Sequence, residues 1–228
     1  MIKKLLIIAI FMAVNPAAIP EAAAQTTIPL NSLDQVELVN VDAEILTYKS
    51  KTALQVKAAS GAEKLETLVL IPEISFKNGV IEIEVSGEPA PGAIAQARGF
   101  VGLAFRVHKG DDYEYDCFYL RPTNARAENQ IQRNHSLQYI SHPEFPWYRL
   151  RKETPEKYES YVDMLPGEWI KLKIEVSGAT AKFYVAGATQ PNLIVNDLKR
   201  GASEGGIALW MHSSTLAHYR NLVVYPEP

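Results

Sequence analysis

The chain has 228 residues, with 23 Lys and Arg against 26 Asp and Glu, 47% apolar residues and a single cysteine. That length suits one domain with a large buried core, and a formal charge of −3 argues against general affinity for nucleic acid or anionic membranes. Cys117 has no partner for an intrachain disulfide, so stability must come from the core.

The N-terminus reads as an export leader. Lys3 and Lys4 precede an apolar run from Leu5 to Val14, and small residues follow up to Ala22-Ala23-Ala24. Charge, a short apolar stretch and a small-residue cleavage site make a signal peptide. The run falls short of the ~20 apolar residues of a membrane span, and Pro16 and Pro20 follow it. The expectation is a leader over 1–24, cleaved near Ala24, and a single periplasmic or secreted domain over 25–228. Losing Lys3, Lys4 and Glu21 leaves the mature chain one charge more acidic.

Gln25 to Leu33 is expected as a flexible lead-in. Val36 to Tyr48 and Leu54 to Ala58 follow as a strand pair, and Thr67 to Ile71 as a short strand stopped by Pro72. From Phe76 the pattern sharpens: Ile81, Ile83 and Val85 alternate with Glu82 and Glu84, the period of two of a strand with one buried face. Gly87 to Gly99, rich in Pro, Gly and Ala, reads as a loop. Gly99 to Val107 then puts Val101, Leu103 and Phe105 on one face and Gly102, Ala104 and Arg106 on the other.

Tyr113 to Arg121 directs Phe118 and Leu120 one way and Tyr115, Cys117, Tyr119 and Arg121 the other, and Pro122 ends it. A long polar connection reaches Trp147, with a short strand at Leu137 to Ile140 and another at Tyr158 to Val162. Ile170 to Val176 and Ala181 to Val185 form a hairpin around Ser177-Gly178. Asn192 to Leu198 connects to Gly206–His212, where Ile207, Leu209 and Met211 oppose Ala208, Trp210 and His212, and a last strand runs from Leu216 to Tyr225. No long stretch repeats at 3.6 residues. Many short strands separated by Gly and Pro turns imply an all-β fold, two antiparallel sheets packed as a sandwich or jelly roll.

The order of Phe76-Lys-Asn-Gly-Val-Ile-Glu-Ile-Glu-Val, Gly99-Phe-Val-Gly-Leu-Ala-Phe-Arg-Val, Gly167-Glu-Trp-Ile-Lys-Leu-Lys-Ile, Gly206-Ile-Ala-Leu-Trp and Tyr219-Arg-Asn-Leu-Val-Val resembles the concanavalin A-like lectin and glucanase superfamily in its laminin-G-like jelly-roll form. Within it the chain is similar to exported bacterial domains of the 3-keto-disaccharide hydrolase type and to uncharacterised relatives. The stretch Phe118-Tyr-Leu-Arg-Pro-Thr-Asn, with Arg133-Asn-His and His142-Pro, carries the second likeness. The resemblance implies a carbohydrate-related ligand on a concave sheet; it implies no particular reaction.

If the apolar faces of the strands near 99, 113 and 205 point between the sheets, Arg106, Tyr119, Arg121, Trp210 and His212 share the outer face. Gly102, Ala104, Gly206 and Ala208 leave that face low in bulk, so a trough results. A sugar suits a trough in which aromatic rings stack and polar groups meet hydroxyls. Asn124, Arg133, Asn134, His135, Gln138 and Trp147 lie in the connection that leaves the same strand, and long loops in compact domains are often functional. These residues are the candidate ligand-binding set.

The leading reading is a carbohydrate-binding domain. A glycoside-processing hydrolase or lyase using the same trough is the alternative, with His212 and Tyr119 as catalytic candidates, and a cell-envelope protein-interaction module is a third. Glucanases of the superfamily carry Glu-x-Asp-x-x-Glu on one strand, whereas Glu114-Tyr-Asp116-Cys-Phe-Tyr119 lacks the last Glu. A retaining glycosidase needs two carboxyl groups about 5 Å apart, so the motif is broken. No metal cluster, phosphate loop or membrane span is read, and no cofactor is expected, a loop Ca²⁺ at Asp111 or Asp112 being the one exception left open.

Overall fold

Alternating apolar and polar residues produce strands that pair in two antiparallel sheets. The computed structural model describes residues 24–62 and 65–227; the leader expected over 1–24 lies, up to residue 23, outside them. In chain order the elements are β1 (Thr26–Ile28), β2 (Glu37–Val39), β3 (Val41–Tyr48), β4 (Lys51–Ala58), β5 (Thr67–Phe76), β6 (Gly79–Pro89), β7 (Val101–Lys109) and β8 (Tyr113–Leu120). Then come α1 (Gln130–Asn134), β9 (Leu137–His142), α2 (Trp147–Glu153), β10 (Glu159–Ser160), β11 (Ile170–Ser177), β12 (Thr180–Val185), β13 (Leu193–Val195), β14 (Gly205–Met211) and β15 (Thr215–Pro226).

The first sheet runs β13-β12-β11-β6-β15-β4-β3, with β1 on the far half of β15, and the second runs β10-β9-β8-β7-β14-β5-β2. The chain crosses repeatedly from one sheet to the other, while β3–β4, β7–β10 and β11–β13 each run on within a single sheet; double-sheet jelly rolls combine such crossings and hairpins. The core lies between them. Ile81, Ile83, Leu172 and Ile174 of the first sheet are buried, as are Leu103, Phe105, Phe118 and Leu209 of the second. Phe118 meets Phe183 across the gap with ring centroids 4.9 Å apart. Each such side chain contributes about 1.5–3 kcal/mol by leaving water.

Four expectations change. The lead-in forms β1, because Thr26 to Ile28 register with Val224 to Leu222 of β15. Pro72 does not stop β5, which continues to Phe76. Strand β2 covers β5 only at Leu68 to Leu70, so the missing N–H of Pro72 falls on an uncovered edge. The long connection after β8 forms helices of five and seven residues, the second ending at Glu153, too short to leave a 3.6 period in the sequence.

The fourth is Arg106, which does not stand on the outer face. The register of β7 against β8 shifts between Phe105 and His108, and Arg106 sits there with φ +55°, a bulge that re-aims its side chain. The guanidinium enters the end of the sandwich and is fully buried. Its Nη2 donates to the carbonyls of Lys77 at 2.6 Å and Gly178 at 2.7 Å, its Nε to Lys77 at 3.1 Å, and its Nη1 to Gly201. Burial pulls its pKa down while Asp116 pulls it up. Arg106 therefore clamps three turns at one end of the sandwich, the Gly178 turn within the first sheet and those of Lys77 and Gly201 between the sheets, and does not reach the outer face where the sequence placed it.

Candidate functional site

Strand register aligns Leu68, Trp210, Gly102, Tyr119, Gln138 and Glu159 in one row across the outer face of the second sheet. Gly102 decides how the row packs. A Cβ there would stand 2.2 Å from the Phe118 carbonyl oxygen and 2.6 Å from Tyr119 Cα. Without it, the rings of Tyr119 and Trp210 meet with centroids 4.7 Å apart, and both are nearly fully buried. They are a floor.

Beside that floor lies a charged layer. Arg121 donates from Nη2 to the Tyr119 hydroxyl at 2.8 Å and to Gln138 Oε1 at 3.1 Å, and from Nη1 to the His135 carbonyl at 3.0 Å. Glu159, buried, accepts from Arg151 Nε at 2.8 Å and Nη2 at 2.6 Å. Arg121 Nη1 lies 3.8 Å and His135 Nε2 3.4 Å from the same carboxylate. Asn124 donates to the His135 carbonyl at 3.1 Å and accepts from Gln132 at 3.0 Å. Two guanidinium groups thus share one carboxylate, and the polar floor is satisfied from within, as a buried network must be.

Above floor and layer opens a cavity of about 710 Å³, within the range of small-molecule sites. One wall is the loop before β7, with Ile94, Gln96, Arg98 and Phe100; another is α1 and its end, with Ile131, Gln132 and His135. The third is α2, which presents Trp147 and Arg151, and His212 and Ser214 close the rim after β14. Trp147 is 43% exposed, so its ring, and not those of Tyr119 or Trp210, is the accessible aromatic face. Arg151 stacks on it at 4.7 Å and Arg121 stands 5.8 Å away. Phe100 lies 5.0 Å from the His212 ring.

Proton positions follow from burial. The Tyr119 phenol is pushed up to about 12 by burial, against the pull of Arg121. At neutral pH it is a donor and not a base. Burial lowers the pKa of His135, opposed by Glu159 and assisted by Arg151 and Arg121. His212 is exposed at the rim, yet desolvation on its packed side lowers its pKa too, with Glu66 opposing. Its Nδ1 accepts from the Ser214 backbone N–H at 3.2 Å and lies 2.8 Å from the Ser214 hydroxyl.

Of the residues expected from sequence, Tyr119, Arg121, Asn124, His135, Trp147, Trp210 and His212 line this one cavity. Gln138 lies beneath it, fully buried, with its Nε2 spent on the Tyr139 and Tyr158 carbonyls. Arg133 turns away to Tyr161, 3.2 Å from its hydroxyl, and exposed Asn134 bonds Gln130 on α1. Arg98 was hidden at the end of a stretch that reads as a plain loop, and Phe100 at the start of the strand read over Gly99 to Val107, where it was given no role. Arg151 had a legible signal, an aromatic and an arginine four residues apart, but only on a helix do they meet.

No carboxylate lines the cavity among the described residues. Asp116 faces the core instead, where it accepts from the Tyr139 hydroxyl at 2.6 Å, and Glu114 pairs with Arg200 at the surface. Among the described residues no group of three or more His, Cys, Asp or Glu is arranged to hold a metal; Asp112 lies 3.6 Å from His142. No described helix is long and apolar enough to cross a membrane.

No family model matches the chain, and no curated protein matches it in sequence. Solved structures do. The carbohydrate-binding module CBM66 from Bacillus subtilis superposes with a TM-score of 0.55 at 14% identity, over 83% of this chain and 95% of that one. A protein of unknown function with a galectin-like fold from the same organism reaches 0.59 at 14% identity, over 90% and 97%. A putative glycosyl hydrolase from Parabacteroides distasonis reaches 0.51 at 11%, over 86% and 91%. At such identities the likeness speaks of architecture, and by architecture the chain is a concanavalin A-like, galectin-like jelly-roll sandwich.

Proposed function

We propose that this protein is an exported carbohydrate-binding jelly roll whose ligand occupies the cavity between the loop before β7, α1 and α2. The observation that carries this reading is a cavity that pairs an accessible Trp147 face with Arg98, Arg151, Gln132 and His212 at its walls. A pyranose presents an apolar face to a ring and hydroxyls to donors, and a site that pairs an open aromatic face with a few placed polar groups suits it. The carbohydrate-binding module among the structural neighbours is in keeping with it. The N-terminal charge, apolar run and small-residue stretch read as a leader over 1–24 support export.

Catalysis is the weaker reading. It would fall to His212 and Tyr119, but the phenol holds its proton to about pH 12, and no described carboxylate lines the cavity to act with it. A glycan array followed by calorimetry on the mature chain tests the proposal. Binding to a defined set of glycans, lost at least tenfold in Trp147→Ala with no product released, is the expected result. A product that disappears in His212→Ala would replace the binding reading by an enzymatic one.

A further inference from the structure

The cavity wall carries more positive charge than the fold uses. Arg121 and Arg151 share the single carboxylate of Glu159. Arg98, half-buried at the opposite wall, spends Nη1 on the carbonyls of Ala95 at 2.6 Å and Ala97 at 2.9 Å, and it forms no ion pair with any described carboxylate. Three guanidinium groups and two histidines therefore line the hollow, against one carboxylate that is buried beneath it. Beyond the Trp210 and His212 rim, Glu66 is engaged by the Tyr115 hydroxyl and lies 3.6 Å from His142. This excess stands out in a chain whose overall charge is −3.

Evenly paired arginines would serve a neutral sugar as well, and at less cost in self-repulsion. An unshared guanidinium at one wall, facing an under-neutralised pair at the other, is an arrangement that an oxyanion completes. Arg98 commits only Nη1 to backbone carbonyls and can offer the parallel Nε–H and Nη2–H donors of its fork, while Arg151, whose Nε and Nη2 are held by Glu159, adds its charge. Cavity walls of low dielectric focus that field on whatever enters. On the reading that the cavity takes a glycan, we infer that its preferred ligand is an acidic sugar, one whose ring bears a carboxylate or a sulfate, with the anionic group against Arg98 and Arg151 and the ring against Trp147.

The test uses matched pairs on the mature chain: oligogalacturonides as free acids and as methyl esters, and sulfated against desulfated galactan oligosaccharides, beside neutral cello- and fructo-oligosaccharides. One acidic form should bind at least about tenfold tighter than its neutral partner, as one added charge-assisted contact implies, and the gap should narrow as salt rises. The carboxylate and sulfate arms distinguish the two sources of the anion. Arg98→Gln should remove most of the acidic preference, and circular dichroism checks that the variant is folded. Binding of neutral sugars equal to or tighter than acidic ones overturns this inference and leaves the carbohydrate reading standing. Absence of binding by every sugar in the set, acidic or neutral, overturns both.

Discussion

Both sheets carry an aromatic group with a histidine on the outer face, and the two behave oppositely. On the first sheet Tyr48, His218 and Trp169 close on each other: Tyr48 and His218 stack with centroids 3.6 Å apart, and Trp169 stands edge-on to Tyr48 at 5.7 Å. His218 is 1% exposed. On the second sheet the floor rings are covered too, but Gly102 sinks them into the sheet and the loops rise around them, so that a cavity stands above with His212 exposed at its rim. The same residue types make a closed cluster in one place and the floor and rim of a cavity in the other. What differs is backbone relief and the length of the connections, not composition.

Breaking the charged layer should have the largest effect. Glu159→Gln leaves Arg121 and Arg151 without their shared anion inside the fold, and a loss of about 3 to 5 kcal/mol is expected in urea unfolding. A change under 1 kcal/mol would mean that water already screens the pair.

The closed cluster should betray itself through pH. Burial holds the pKa of His218 down to about 4, whereas an unfolded histidine titrates near ~6.5. As pH falls from about 6.5 to about 4, the unfolded chain takes up a proton that the native state refuses, and up to about 3 kcal/mol of stability is lost. Below that the loss levels off. His218→Gln should flatten this part of the profile, and an unchanged slope would assign the acid sensitivity to another group.

Gly102→Ala should cost about 2 kcal/mol, since the new methyl meets the backbone of β8 and not a movable side chain. It would also lift Tyr119 from Trp210, which tryptophan fluorescence reports. The smallest effect on stability belongs to the exposed wall: Trp147→Ala should stay within about 0.5 kcal/mol of the parent while ligand affinity falls. If that variant unfolds, α2 is part of the scaffold and not of a site.

Much of the second sheet was legible in the sequence. Alternation placed Leu103, Phe105, Leu209 and Met211 inward and Tyr119 and Trp210 outward, and the structure keeps those faces. Where the reading failed, it failed at irregular backbone. The bulge at Arg106 carries its side chain off the expected face, and a period of two has no means of announcing an inserted residue. Gln138, expected as a ligand residue of the connection, lies fully buried on β9, held by Arg121 and by the Tyr139 and Tyr158 carbonyls, and depth of that kind writes no periodicity into the chain.

The sequence by itself determined the class of fold, the strands and most of their faces, because burial of one face of a pleated strand writes a two-residue period into the chain. Its density of arginines, amides and aromatics also marked the 113–151 stretch, and several of those residues line the cavity above the second sheet. Only the tertiary structure decided that Trp147, and not Trp210, offers the open ring, that Arg98 joins the wall from a loop far upstream, and that Arg106 is a clamp. Those outcomes depend on strand register, a single bulge and the packing of two short helices, which are set by contacts between residues distant in the chain.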